Sequence, residues 1–330
     1  MAVSKNDVIT AATFNTLQSR IANVLGNGFA ASGYGQSLAS STVSATSVVT
    51  ATHLEALRTD INKARVHQTG SLTSLQEIVT KNIIGADASG SGITFSYTPG
   101  SNPPSTEYYT TSINDPNSYK GVNDYLNAVD SLEADQYLCD DTQASVEAAI
   151  SSTRTIQWNG TIIHTFTASF TSADARRHFF NSGGQIRFQA QLSNGSGAKD
   201  SDWATMLSNM GTIIFDYNTT TATGSGTPSA IGNYDLTTSY QTVYTKGGSG
   251  VYAENSYVIK AKAPSATQIE FRVEFQDNDV GEGLNPPGYV PIDENVIAIS
   301  GTMTSTITQR RATGSYVSVP SPSYTNTSTL

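Results

Sequence analysis

From about residue 156 onward, apolar and polar side chains alternate one by one. Ile162, His164, Phe166, Ala168 and Phe170 alternate with Thr and Ser. Ile186, Phe188, Ala190 and Leu192 alternate with Gln185, Arg187, Gln189 and Gln191. Ile269, Phe271, Val273 and Phe275 alternate with Gln268, Glu270, Arg272, Glu274 and Gln276. Successive side chains of a strand point to opposite faces, so each run predicts a strand with one apolar face. Weaker strands are predicted at 211–217, 240–245, 256–262, 296–308 and 315–319. Turn sequences separate them: Asn181-Ser182-Gly183-Gly184, Asn194-Gly195-Ser196-Gly197, Gly247-Gly248-Ser249-Gly250 and Asn285-Pro286-Pro287-Gly288. One-sided strands must bury their apolar faces together, which predicts a β-sandwich over residues 156–320. Trp203, Met206, Leu207 and Met210 predict a short helix capping one end. The Ser/Thr-rich tail, 321–330, is predicted to be extended.

Residues 1–80 follow a different period and contain a repeat. Val8, Thr10, Ala11, Leu17 and Ile21 recur as Val48, Thr50, Ala51, Leu57 and Ile61, an offset of 40 residues. Each copy reads as an amphipathic helix. Phe14, Leu17, Ile21 and Val24 share one face, as do Leu54, Leu57, Ile61 and Ala64. Thr52 and Glu55 fit a capping box, and Gly26 and Gly70 fit C-terminal stops. The two stripes either pack on each other as a hairpin, or one docks onto another subunit. Residues 27–47 read as a loop or extended crossover. Residues 81–155 read as a linker, with a Gly/Ser-rich stretch ending at Pro103-Pro104, and short helices. One helix holds Val122, Leu126, Val129 and Leu132; the other holds Val146 and Ile150. The fold class expected is α+β: a helical module of two repeated amphipathic helices, then an antiparallel β-sandwich.

Composition narrows the function classes. A chain of 330 residues suits two domains, or one large β domain with an appended module. Only 14% of residues are charged, against about 25% in typical soluble domains. Ser, Thr, Asn and Gly fill the gap, giving a polar surface of low charge density. The net charge is −9, and basic residues cluster no further than the pairs Arg176-Arg177 and Arg310-Arg311. Nucleic-acid binding needs a basic face, so no nucleic-acid partner is expected. The N-terminal residues do not read as a signal peptide, and no apolar run reaches the length of a membrane span. No membrane association is expected.

Catalytic signatures are sparse. No G-x-S-x-G elbow occurs, and His53, His67, His164 and His178 do not form H-E-x-x-H. His164 falls on the inward face of its strand and reads as a core histidine. Cys139, the one cysteine, reads as a buried inert thiol. The glycines of Gly224-Ser225-Gly226 suit a hairpin rather than a phosphate cradle. Asp277 and Asp279 alternate like the start of a calcium loop, and Gly281 follows. A strand precedes them and a Pro-rich turn follows, so a solvated acidic turn is expected and a bound cation is the alternative. Asn159-Gly160-Thr161 and Asn194-Gly195-Ser196 read as turns. Tyr108, Tyr109, Tyr234, Tyr240, Tyr244 and Tyr252 suit either sugar or protein contact. No catalytic, cofactor-binding or metal-ligating residue is assigned, and no cofactor is expected.

Several stretches resemble a family of virion structural proteins of marine T4-like cyanophages. They are His178-Phe179-Phe180-Asn181-Ser182-Gly183-Gly184-Gln185-Ile186-Arg187-Phe188, then Asp202-Trp203 through Met210-Gly211, and Ala230-Ile231-Gly232-Asn233-Tyr234-Asp235-Leu236. Tyr252-Ala253-Glu254-Asn255, Ile259-Lys260-Ala261-Lys262-Ala263 and Arg311-Ala312-Thr313-Gly314-Ser315 continue the match. The helix start Thr10-Ala11-Ala12-Thr13-Phe14-Asn15 is similar too. Residues 80–155 carry the resemblance least. It implies a non-enzymatic particle component, a homo-oligomer of the tail, neck or baseplate, assembled in the host cytoplasm. Its implied partners are copies of itself and other virion proteins. A carbohydrate-binding fibre adhesin and a capsid decoration protein are the alternatives. A polysaccharide-degrading enzyme would need paired carboxylates in a cleft, and no pair stands out.

Overall fold

Thr10 and Thr50, equivalent positions of the repeat, each start a helix. In the computed structural model, which describes residues 10–73, 75, 122–278 and 298–329, the Thr10 hydroxyl accepts from Thr13 N at 3.1 Å. That caps α1, Ala11–Val24. The Thr50 hydroxyl accepts from His53 N at 3.4 Å, and Thr50 N donates to His53 Nδ1 at 3.0 Å. That caps α2, Ala51–Thr69. The capping box is therefore Thr50/His53 rather than Thr52/Glu55. Thr50 has the extended backbone a cap requires, whereas Thr52 already lies inside the helix. Glu55 instead grips the Arg58 guanidinium at 2.5 and 2.8 Å. Gly70 ends α2 in the left-handed conformation, as expected, but α1 is capped by Leu25, one residue before Gly26. Val8 of the repeat lies outside the described residues.

The chain divides into two compact units: Met1–Gln143 with Gly314–Val317, and Ala144–Thr313 with Ser318–Leu330. In the first, α3, Val122–Ala134, joins α1 and α2. Arg20 of α1 binds Asp130 and Glu133 of α3 at 2.5 and 2.6 Å. Gln68 of α2 donates to Leu132 O at 2.9 Å. Phe14, Leu17, Ile21 and Val24 are at most 1% exposed, and Leu54, Leu57, Ile61 and Ala64 are buried with them. Both stripes are thus spent on the core that the described helices share. The crossover before α2 is stitched down by polar side chains. Buried Asp60 accepts from Ala39 N, Ser40 N and Ser40 Oγ at 2.8, 2.8 and 2.6 Å. Asn15 clasps Val43 from both sides, donating to its carbonyl and accepting from its N–H at 2.8 Å each.

The second unit is the sandwich. Its elements in chain order begin with β1 Ala144–Arg154, β2 Thr161–Ser169, α4 Ala173–Asn181, β3 Gln185–Ser193 and α5 Ala198–Asn209. Next come β4 Ile213–Phe215, β5 Thr220–Ala222, β6 Thr227–Pro228 and β7 Gln241–Gly247. The last are β8 Ser256–Ser265, β9 Gln268–Gln276, β10 Thr302–Ala312 and β11 Ser323–Thr329. One sheet has the order β1-β10-β3-β4-β5 and the other β11-β2-β9-β8-β7-β6. Pairing is antiparallel throughout. Rings join the inner faces: Phe271 of β9 lies 4.9 Å from Phe188 of β3 and 5.2 Å from Phe215 of β4. Both open sides are guarded. Asn326 donates to Ser151 O at 2.6 Å between β11 and β1, and short β5 and β6 are linked by Thr220 N donating to Ser229 O at 3.1 Å.

Several expectations are corrected. Val146 and Ile150 lie in strand β1, not a helix, so the β unit begins at Ala144 rather than at residue 156. The tail is extended, as expected, and beyond that expectation forms strand β11, paired along β2 from Ser323↔Ser169 to Thr329↔Ile163, because a polar edge strand needs no apolar alternation. Residues 315–319 form no strand; only an isolated bridge, Thr313↔Ser318, occurs there. Helix α4 was not anticipated. Pro103-Pro104 and Asn285-Pro286-Pro287-Gly288 lie outside the described residues.

Candidate interaction surfaces

With both helix stripes internal, the first unit offers a different apolar contact. Phe29 is 86% exposed and sits at the start of a tight turn, Phe29–Ala31. The turn enters through Gly28 at φ 69°, where an L side chain is strained, and Ala30 and Ala31 follow at φ 52° and 59°. Each left-handed alanine costs about 1–2 kcal/mol. The surroundings hold this shape. Phe29 N donates to Asn23 Oδ1 at 3.2 Å, Tyr34 N to Val24 O at 2.9 Å, Gly35 N to Gly26 O at 2.8 Å and Gln36 N to Leu25 O at 2.9 Å. Tyr34 is wholly buried, and its hydroxyl donates to Gln136 O at 2.5 Å. Gln136 in turn donates to Ser32 O. The result is a braced loop that displays one phenyl ring to solvent.

The tyrosines proposed for ligand contact are mostly occupied. Tyr244 and Tyr252 are buried. The Tyr244 hydroxyl donates to Ser225 O at 2.5 Å, and burial pushes its pKa up to about 12. Tyr240 lies beneath Lys262, whose ammonium is 4.4 Å from the ring, and its hydroxyl donates to Glu270. Tyr234 is 47% exposed, with its hydroxyl bonded to Asn181 Oδ1 at 2.5 Å. Tyr108 and Tyr109 lie outside the described residues. Around Tyr240 the outer sheet face carries ion pairs: Lys260–Glu274 at 2.9 Å, Arg272–Glu274 at 2.8 Å and Lys262–Glu270 at 2.8 Å.

His164 is buried, as its inward position implied, with Nδ1 2.8 Å from Ser305 Oγ across the two sheets. Burial, helped by the charge of Arg154, lowers its pKa to about 4. Cys139 is half-buried rather than buried, and its Sγ lies 3.8 Å from His67 Nδ1. Sequence reasoning missed this thiol–imidazole contact, because 72 residues separate the partners. Asp277 is not a solvated turn residue: it is 7% exposed, and its carboxylate meets the Lys199 ammonium at 2.8 Å. Asp279 and Gly281 lie outside the described residues. Among the described residues no group of three or more His, Cys, Asp or Glu could hold a metal ion, and no helix is long and apolar enough to cross a membrane.

Asp200, which the sequence did not single out, organises the start of α5. It accepts from Ser196 N and Gly197 N at 3.0 Å each, and from Ser300 N and Oγ at 2.8 and 2.5 Å. Burial opposes ionisation, but these hydrogen bonds outweigh it and hold the carboxyl below its ordinary pKa. No protein-family model, no curated protein and no solved structure significantly matches this chain.

Proposed function

We propose that this chain is a non-enzymatic structural protein of a phage particle, assembling with copies of itself and other virion proteins in the tail, neck or baseplate. The observation that carries the assembly reading is Phe29. A chain that spends strain on displaying an apolar ring, and braces the loop that does so, has built a preorganised contact. Aromatic anchors of this kind fill partner pockets and dominate interface energies. The phage assignment comes from the resemblance. Its stretches fall on packing and turn positions, including buried Phe179, Phe180 and Trp203, and Asn233, which receives the Arg176 side chain at 2.7 Å. Such positions preserve a scaffold, in keeping with a particle component.

The test is the solution mass of the full chain and of Phe29→Asp, with location in intact particles by cryo-electron microscopy. A closed oligomer found in particles, reduced to monomer by Phe29→Asp, is the expected result. A wild-type monomer absent from particles would sink the proposal.

A further inference from the structure

The outer face of the five-stranded sheet carries an ordered array of uncharged polar groups. On β10, Thr304 and Thr306 alternate with buried Met303, Ser305 and Ile307. Thr306 pairs with Ser151 of β1 on one side and Gln189 of β3 on the other; Thr304 pairs with Thr153 and Gln191. These make two rows about 7 Å apart along the strands, each stepping about 4.8 Å between strands. Hydrogen bonds orient the rows. Ser151 Oγ donates to Thr306 Oγ1 at 3.2 Å, the Thr153 and Thr304 hydroxyls meet at 3.4 Å, and Gln189 Nε2 donates to Thr212 Oγ1 at 3.1 Å.

Beside the array stands a wall. β4 pairs with β3 only from Ile186 to Phe188. Beyond that point no strand flanks this side of β3 among the described residues, and α5 stands in its place. Ala204 and Ser208, one helical turn apart on α5, keep the wall shallow. A groove of about 410 Å³ lies between Gln189, Gln191, Thr304 and Thr306 on one side and these two residues on the other. Its described lining contains no ionisable side chain.

We propose that this groove binds a neutral saccharide. Its volume falls within the roughly 300–1,000 Å³ of small-ligand sites. Hydroxyl and amide side chains both donate and accept hydrogen bonds, and so does each sugar hydroxyl. An anion would seek Lys or Arg and a cation a carboxylate, and neither lines the groove. Ala204, partly exposed, supplies a small apolar contact for a sugar's C–H face.

The full chain is titrated with maltoheptaose, cellohexaose and chitohexaose by calorimetry and saturation-transfer NMR, with 3′-sialyllactose and heparin as charged controls. At least one neutral oligosaccharide binds, and Gln191→Ala, Thr304→Ala and Ala204→Trp each weaken it at least tenfold with unchanged circular dichroism. Gln191 is exposed, so its variant does not depend on the fold tolerating a filled groove. The proposal is overturned if none of the three neutral oligosaccharides binds, if binding ignores the variants, or if only the charged controls bind. Lost particle incorporation by Ala204→Trp, with no sugar bound by wild type, would make the groove a protein interface and overturn it equally.

Discussion

The ammonium of Lys199 lies 2.8 Å from a carboxylate oxygen of Asp277, and the two side chains are 1% and 0% exposed. Lys199 belongs to the first turn of α5, and Asp277 follows the last residue of β9. The Asp277 N–H also donates to Gly160 O at 2.8 Å. The pair therefore pins the capping helix to the end of one sheet. A buried pair gains little over well-packed apolar side chains, yet breaking it strands one charge. Lys199→Met alone is expected to cost about 3–5 kcal/mol. The double variant Lys199→Met/Asp277→Leu is expected to recover most of that loss. Urea unfolding of the two single variants and the double variant measures the coupling. Near-additive losses would show that the ion pair is not the source of the cost.

Phe14 and Phe29 are expected to respond in opposite ways. Phe14 is wholly buried, so Phe14→Ala should cost about 3–5 kcal/mol and melt the helical unit. Phe29 touches little, so Phe29→Ser should leave unfolding within about 0.5 kcal/mol of wild type. Its expected effect is on association alone. Denaturation followed by circular dichroism, run beside sedimentation equilibrium, separates the two. A Phe29 variant as unstable as the Phe14 variant would mean that the ring packs in solution after all.

Acid should weaken the fold in two stages. His164 faces Ser305 and the rings of Phe166 and Phe275, and Arg154 adds positive charge nearby. An unfolded histidine titrates near 6.5, whereas this one titrates at about 4. Between those values protons bind the unfolded chain and not the fold, so stability falls as pH drops through the window, by up to about 3 kcal/mol. His164→Gln should flatten that slope. Asp200 and Glu147 act later. Hydrogen bonds from Arg311 hold the Glu147 carboxyl below its usual pKa, as those from Ser300 and its neighbours do for Asp200. Depressed carboxyls stabilise above their unfolded pKa, near 4, and lose that contribution as pH falls through the folded values. Urea midpoints at pH 7, 5.5, 4 and 3 follow both stages. An unchanged midpoint from pH 7 to 4 would remove the histidine stage.

What the sequence disclosed depended on how each element earns its place. Strands β2, β3 and β9 bury one face in a two-sheet core, so their alternation was plain, and the α1 and α2 stripes were equally legible. β1 was misread because Val146 and Ile150 are four apart, a helical spacing; on this bulged edge strand Val146 is 57% exposed and burial does not alternate. β11 was hidden because Ser-Tyr-Thr-Asn-Thr-Ser-Thr pairs through its backbone and is anchored by one ring, Tyr324, whose hydroxyl donates to Gln309 at 3.0 Å. The candidate surfaces were less legible still. A braced left-handed turn beneath Phe29 and a groove made where β4 stops short of β3 arise from tertiary placement, which no local period encodes.

Arg176 illustrates the same dependence and offers a last test. It was notable in the sequence only as half of a basic pair, yet it is 8% exposed and ties three segments together. Its guanidinium donates to Asn233 Oδ1 at 2.7 Å and Asn233 O at 3.3 Å. It also donates to Ser265 O at 3.1 Å and Gln268 O at 3.3 Å. Burial lowers its pKa to about 10, so it stays charged at neutral pH. These partners are neutral oxygens, so the planar fork and its several donors matter more than the charge. Lysine keeps the charge but not the fork. Arg176→Lys is therefore expected to lose about 2–4 kcal/mol, close to the loss for Arg176→Met, since both leave buried acceptors unpaired. Asn233→Ala should cost less, and combining it with Arg176→Met should cost less than the sum. Hydrogen exchange is expected to accelerate at 233–236 and 265–268 in both Arg176 variants. A lysine variant as stable as wild type would show that charge alone holds the three segments.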